Sequence, residues 1–312
     1  SVEGVYLPSE EPIGGGYVPP DSDAVRIRVT KTISPIFAGA IGMREITVSA
    51  ETAAQYEILS GGCGGYAIWA QSQTCSRPID WTGSGGLIVG HGHSNGKVKV
   101  SGSGHVVNGT MEYVTTVQET GSGHQITYVQ TAASDSYPVE WNIDDYRPGG
   151  RAALAAQAEG KYFVHNCSTW HVSGSGKTIP EGLHYCTGKV RISGSAISGH
   201  VTIVAEGTID VSGSGHSYEY YCDGLLFFSN YERNGTPKCT NPVVDVSGSG
   251  GTWEGVIYAP NGVIEYTGSG QQITYGSLIG WGIDISGSGF TLTYDDDICE
   301  NMAQRIVVHI IQ

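Results

Sequence analysis

One phrase stands nine times in this chain: an apolar residue, a polar one, as a rule an apolar one, Ser or Thr, Gly, Ser, then Gly or Ala. It reads Ile79-Asp80-Trp81-Thr82-Gly83-Ser84-Gly85, Val98-Lys99-Val100-Ser101-Gly102-Ser103-Gly104 and Val117-Gln118-Glu119-Thr120-Gly121-Ser122-Gly123, and recurs around Ser175, Ser195, Ser214, Ser249, Ser269 and Ser288. Between these serines the spacings are 19, 19, 53, 20, 19, 35, 20 and 19. A fixed period near 20 is one supersecondary unit, which cannot bury its own apolar face and must stack on its neighbours. Within the phrase, apolar residues two apart face one way and the polar residue between them the other, as in a strand. The Gly-rich end is a corner, where Gly accepts positive φ and Ser bonds the backbone freed at the bend. The predicted fold is all-β: a right-handed parallel β-helix, or β-solenoid, of about 19–20 residues per rung, its hand set by the rule for parallel crossovers. Rungs ~4.8 Å apart would make a prism about 45 Å long.

Residues 1–60 read as an N-terminal extended arm and β-hairpin, and 61–312 as the β-solenoid with insertions near 131–165 and 217–243. The arm is rich in Pro, Gly and acid, and Val25-Arg26-Ile27-Arg28-Val29-Thr30 then alternates at period two before a second strand at Glu45–Ala50. The 53-residue gap holds an alanine-rich run closed by Gly160, the one short helix expected. Both insertions should project from the rungs and collect specific contacts.

Gly makes up 47 of 312 residues, about twice the usual share of roughly 7%. Ordered by period, that glycine means turns. The net charge of -14 without a basic run speaks against nucleic acid as partner, and no run of 18 apolar residues offers a membrane span. The seven cysteines include no CxxC. Spacing suggests the pairs Cys63/Cys75, Cys167/Cys186 and Cys222/Cys239, with Cys299 unpaired or bridging between chains, and so an oxidising compartment; reduced buried thiols are the alternative. The start at Ser1 fits removal of a leader or anchor.

Residues Val25–Ala50, with Phe37-Ala38-Gly39, Gly42 and Val48-Ser49-Ala50, resemble the Tad/Flp-pilus (TadE/TadG-like) secreted proteins. The later segments His93–Gly96, Asp145–Gly150, Thr202–Gly207, Tyr258–Gly262 and Tyr275–Trp281 are similar to the β-solenoid region found behind that stretch. The resemblance implies a bacterial surface or secreted protein linked to envelope assembly. The family's N-terminal membrane helix is missing here, so the chain looks like a released mature fragment.

Candidate sites are few. Gly90-His91-Gly92-His93-Ser94-Asn95-Gly96 has the Gly-His-Gly-x-Ser form of pectin-cleaving β-helix enzymes, without their aspartate cluster; a Gly-rich corner is the plainer reading, and two histidines alone fall short of a metal site. Stacking should align the polar phrase residues Asp80, Lys99, Gln118, His171, Arg191, Asp210, Asp245, Glu265 and Asp284. The run Asp245, Glu265, Asp284 and the run Asp295, Asp296, Asp297 are the candidate ligands, for calcium; solvated acidic faces are the alternative. The leading function is structural and non-enzymatic: a secreted building block of an extracellular or cell-surface filament or matrix, a homopolymer joined head to tail by strand addition of its termini, with Val25, Ile27, Val29, Ile306, Val308 and Ile310 as subunit contacts. The reading from another class is a carbohydrate-binding or pectinase-like β-helix acting on polysaccharide, with Trp81, Trp141, Trp170, Trp253, Tyr258 and Tyr266 supplying an aromatic face or, as their phrase positions suggest, filling the rungs.

Overall fold

The computed structural model describes residues 23–33, 46–59, 63, 65–134, 136–232, 239, 241–295, 297–298 and 305–311. They divide into two compact units: residues 1–60 with 303–312, and residues 61–302. In the first, β1 (Asp23–Ile33) and β2 (Ile46–Leu59) pair antiparallel, and the C-terminal strand Arg305–Ile311 adds to the other edge of β2. Val25, Ile27 and Val29 stand opposite Ala54, Thr52 and Ala50, while Ile306, Val308 and Ile310 stand opposite Ile58, Tyr56 and Ala54. The six residues expected to join subunits therefore pair within one chain. The reason is that a strand tethered to the same chain meets the edge of β2 at an effective concentration no second molecule matches.

The second unit is a stacked parallel solenoid, and its phrases form one ladder with every Gly opposite Gly and every Ser opposite Ser or Thr. The stack does not follow the chain. It begins at Thr169–Ser175 and proceeds through the phrases ending at Ser195, Ser214, Ser249, Ser269 and Ser288. It then continues onto Ile79–Ser84, the first phrase of the sequence, and ends at Val98–Ser103 and Val117–Ser122. The chain thus enters mid-stack, builds three rungs to one end, crosses to the far end, and builds back until residues 283–293 meet residues 79–89.

The crossing accounts for the 53-residue gap. Residues 131–134 and 136–161 do not project; they run along the flank from one end rung to the other, eight spacings or about 40 Å. The strap carries the helix α1 (Arg151–Ala158), followed by Gly160 at φ +72°. Its apolar residues Val139, Trp141, Ile143, Tyr146, Ala152, Ala153 and Ala156 pack on Trp69, Leu183, Tyr185, Val204, Phe228, Tyr258 and Ile279 of the solenoid flank. A separate core fills the solenoid, where Trp81, Trp253, Tyr218 and Tyr266 are buried among aliphatic columns. The second expected insertion is also smaller than its spacing suggests, because Ser217–Glu219 and Leu225–Ser229 pair as ordinary rung strands. Among the described residues no helix is long and apolar enough to cross a membrane.

The same reordering corrects the cysteines. Cys75 is bonded to Cys239, and Cys63 is also in a disulfide, while Cys167, Cys186 and Cys222 are thiols. Cys75 and Cys239 lie in loops that follow Tyr66–Ala70 and Leu225–Ser229, strands of one ladder, so proximity in the stack overrides proximity in sequence. Cys299 lies outside the described residues.

One corner departs from the phrase: Ala196 holds φ +51° where the other corners carry Gly. A left-handed non-Gly residue costs about 1 kcal/mol. Ala196→Gly is expected to raise unfolding free energy by about 0.5–1 kcal/mol in urea melts.

Candidate functional site

In stack order the outward phrase residues read His171, Arg191, Asp210, Asp245, Glu265, Asp284, Asp80, Lys99 and Gln118. Five carboxylates are consecutive, ~4.8 Å apart, because the non-sequential stacking sets Asp284 beside Asp80. The row is closed by cations. Arg191 Nε lies 3.9 Å from Asp210, and Asp80 receives Arg77 at 3.0 Å and Lys99 at 3.1 Å. Between them, burial and then Asp210 raise the Asp245 pKa; burial followed by Asp245 and Asp284 raises that of Glu265. Asp284 is raised by burial and by Asp80, against Lys99 and Arg77.

The row does not make a chelate. Among the described residues no three His, Cys, Asp or Glu side chains gather as metal ligands would, because carboxylates one rung apart project in parallel. Asp295 and Asp297 lie outside the phrases, and Asp297 N–H donates to Asp295 Oδ1 at 3.0 Å; Asp296 lies outside the described residues.

The Gly-His-Gly stretch is put to a different use. His93 is 3% exposed, with Nδ1 2.9 Å from Glu112 Oε2, Nε2 2.9 Å from Asn95 Oδ1, and its ring stacked 4.1 Å from Trp69. Tyr66 Oη also donates to Glu112, at 3.0 Å. Asn95 in turn grips the start of the strap, accepting from Ser134 N–H at 2.7 Å and donating to Ser134 O at 2.6 Å. His91 is exposed and sits 2.8 Å from Thr110 Oγ1. The strap's other anchors are Asp223, which accepts from Tyr146 Oη and Arg151 at 2.9 Å, and Glu206, which accepts from Arg147 at 2.7 Å and Tyr185 Oη at 2.6 Å. Asn95, Asp223 and Glu206 thereby hold the crossing to the flank. Of the six aromatics considered for a sugar-binding face, Trp81, Trp141, Trp253, Tyr258 and Tyr266 are buried and Trp170 is half-buried at an end rung, so they fill the body.

Histidines also brace the corners. His105 and His216 each reach the carbonyl four residues back, at 3.2 Å, and accept a backbone N–H from the rung before at 3.4 and 3.3 Å. Gln271 makes the same carbonyl bond at 2.9 Å. His184, stacked between Phe163 and Trp170, has Nε2 2.7 Å from Pro180 O and Nδ1 3.1 Å from His165. Burial lowers the pKa of His105 and His165, and lowers that of His184 to about 4. A depressed histidine pKa means that the unfolded chain binds more protons below its ordinary value of about 6.5, so stability falls as pH drops from there toward 4. For His184 the full window amounts to about 3 kcal/mol. The raised carboxyls of the acidic row act the other way as pH nears the carboxylate range. Melting temperature should therefore fall between pH 7 and 5, and His184→Gln, which keeps a donor for Pro180, should flatten that decline.

Among the described residues, each end of the stack has strands paired on one side only. At one, Val117–Ser122 and Gln125–Gln130 pair on a single side, and Val117, Ile126 and Tyr128 are half-exposed. At the other, Tyr162–His165 and Thr169–Ser175 pair on a single side and leave Phe163, Trp170 and Val172 half-exposed. Open edges of this kind are templates for further pairing.

A family described as a domain of unknown function (DUF7305) matches residues 118–301, more than half of the chain. The match spans the crossing and the rungs from Thr169 to Ser288 and does not reach residues 25–50. No curated protein and no solved structure matches the chain.

Proposed function

This chain belongs to the DUF7305 family, and we propose that it is a structural building block of an extracellular or cell-surface assembly. The observation that carries this reading is the join between residues 283–293 and 79–89, where rungs that are not consecutive in the chain stack in register with the same hydrogen bonds as consecutive ones. Stacking in this body does not depend on a covalent link between rungs, and among the described residues both end rungs have an unpaired outer edge. Disulfides, at Cys75–Cys239 and at Cys63, accord with an oxidising compartment. The likeness of residues 25–50 to Tad/Flp-pilus proteins points toward the envelope as well. Fractionation of producing cells tests the reading: the chain should be recovered outside the cytoplasm, in high-mass material. Recovery solely as a reduced cytoplasmic protein would overturn it.

A further inference from the structure

Two inward columns of the solenoid each contain one fixed charge, and the two charges stand at opposite ends. The third phrase position reads Val172, Ile192, Val211, Val246, Tyr266, Ile285, Trp81 and Val100 in stack order, then Glu119 on the last rung. The corner position after the phrase reads Lys177 on the first rung, then Ile197, His216, Gly251, Gln271, Phe290, Gly86, His105 and His124. These columns touch from one rung to the next. Trp81 packs 4.4 Å from His105, and Tyr266 packs 5.1 Å from Phe290, in each case a third-position ring against the corner ring of the following rung.

We infer that the two ends of the solenoid stack on each other between copies of this chain, with Glu119 of one copy paired to Lys177 of a second. The inference rests on the structural reading above and gives it a contact. If the first rung of a second copy follows the last rung of this one, Glu119 and Lys177 take the places that Trp81 and His105 hold inside the molecule. The neighbouring columns set Val117 over Trp170 and Tyr128 over Phe163, apolar on apolar. Backbone partners complete it. Inside the stack, each corner N–H donates to the serine carbonyl of the next rung, as Gly104 to Ser122 at 2.9 Å and Gly289 to Ser84 at 2.9 Å. The residue two further on returns a bond, as Gln125 to His105 and Leu87 to Phe290, both at 2.8 Å. Gly123 and Ser175 are exposed, and among the described residues no rung lies beyond the one or before the other. A second copy supplies both bonds, Gly123 to Ser175 and Thr178 to His124. Until then Glu119 accepts from Tyr128 Oη at 2.7 Å, and Lys177 folds its stem over Gly174. An inward charge on an end rung deters wrong partners, and only an end bearing the opposite charge relieves it.

Charge exchange in the full oxidised chain tests this, read by sedimentation velocity and negative-stain microscopy. Wild type should lengthen with concentration by end-on addition. Glu119→Lys and Lys177→Glu, each alone, should weaken association at least tenfold while leaving circular dichroism and melting unchanged, since both residues sit on exposed rungs of the monomer. Mixing the two variants should restore growth, because each then meets an opposite charge. Single variants that associate like wild type, a mixture that stays monomeric, or a wild type monomeric at every concentration would each overturn the junction. Growth in wild type that ignores both substitutions would remove this contact and leave the structural reading standing, whereas a purely cytoplasmic chain would remove the reading itself.

Discussion

Gly102→Ala is expected to lower the unfolding free energy by about 4 kcal/mol or more and to leave little soluble protein, whereas Gly85→Ala should cost only about 1 kcal/mol. Both glycines belong to phrase corners and both have positive φ, at +115° and +63°. They differ in what a methyl group would meet. At Gly102 it would fall on the carbonyl of Gly83 in the rung before, and neither backbone can retreat without breaking the ladder on both sides. At Gly85 nothing lies within 4 Å, and the equivalent corner already tolerates Ala196. Paired urea melts of the two variants check the contrast; equal effects would show that the corner glycines act through φ alone.

The second large effect concerns Cys75–Cys239, which closes a loop of 164 residues. Chain-entropy arguments put the stabilisation from a loop that long at about 5 kcal/mol, and measured disulfides commonly give 2–4. The double replacement Cys75→Ser with Cys239→Ser should therefore cost about 3–5 kcal/mol. Because the loop contains the strap and six of the nine phrases, those from Ile79 to Ser214, the loss should appear as one cooperative shift of the melting curve. Comparing reduced wild type with the double variant separates this bond from that of Cys63, which reduction also opens.

The rung was legible in the sequence because its chemistry is local: apolar residues two apart, a glycine at each bend, a serine beside it. The order of the rungs was not, and the reason is the repetition itself. A phrase such as Val98–Gly104 fits on any other phrase, so register within a rung is fixed while the choice of neighbour is degenerate. That choice is made by contacts the period does not contain, Asn95 on Ser134 at one end of the crossing and Asp223 on Tyr146 and Arg151 toward the other. Two expectations failed together for that cause. Closeness in sequence does not pair the cysteines, and the acidic run does not end at Asp284, because Asp80 stands next to it. The end charges did leave a signal. Glu119 occupies a position that is apolar in the other eight phrases.

The place where residues 283–293 meet residues 79–89 also sets a timetable for biosynthesis. The three rungs between Tyr66 and Gln130 leave the ribosome first, yet the surface they rest on is made almost last. Throughout translation of the strap and the following rungs, Ile79, Trp81 and Ile88 have neighbours on one side only. The nascent chain must keep that early block from pairing with the chemically identical phrases that emerge next, such as Val190–Ser195, until the Ile283 rung arrives. Folding of the solenoid thus waits on a long-range contact, Ile283 on Ile79, and a stalled or truncated product ending before Ile283 would expose two unfinished blocks with matching edges.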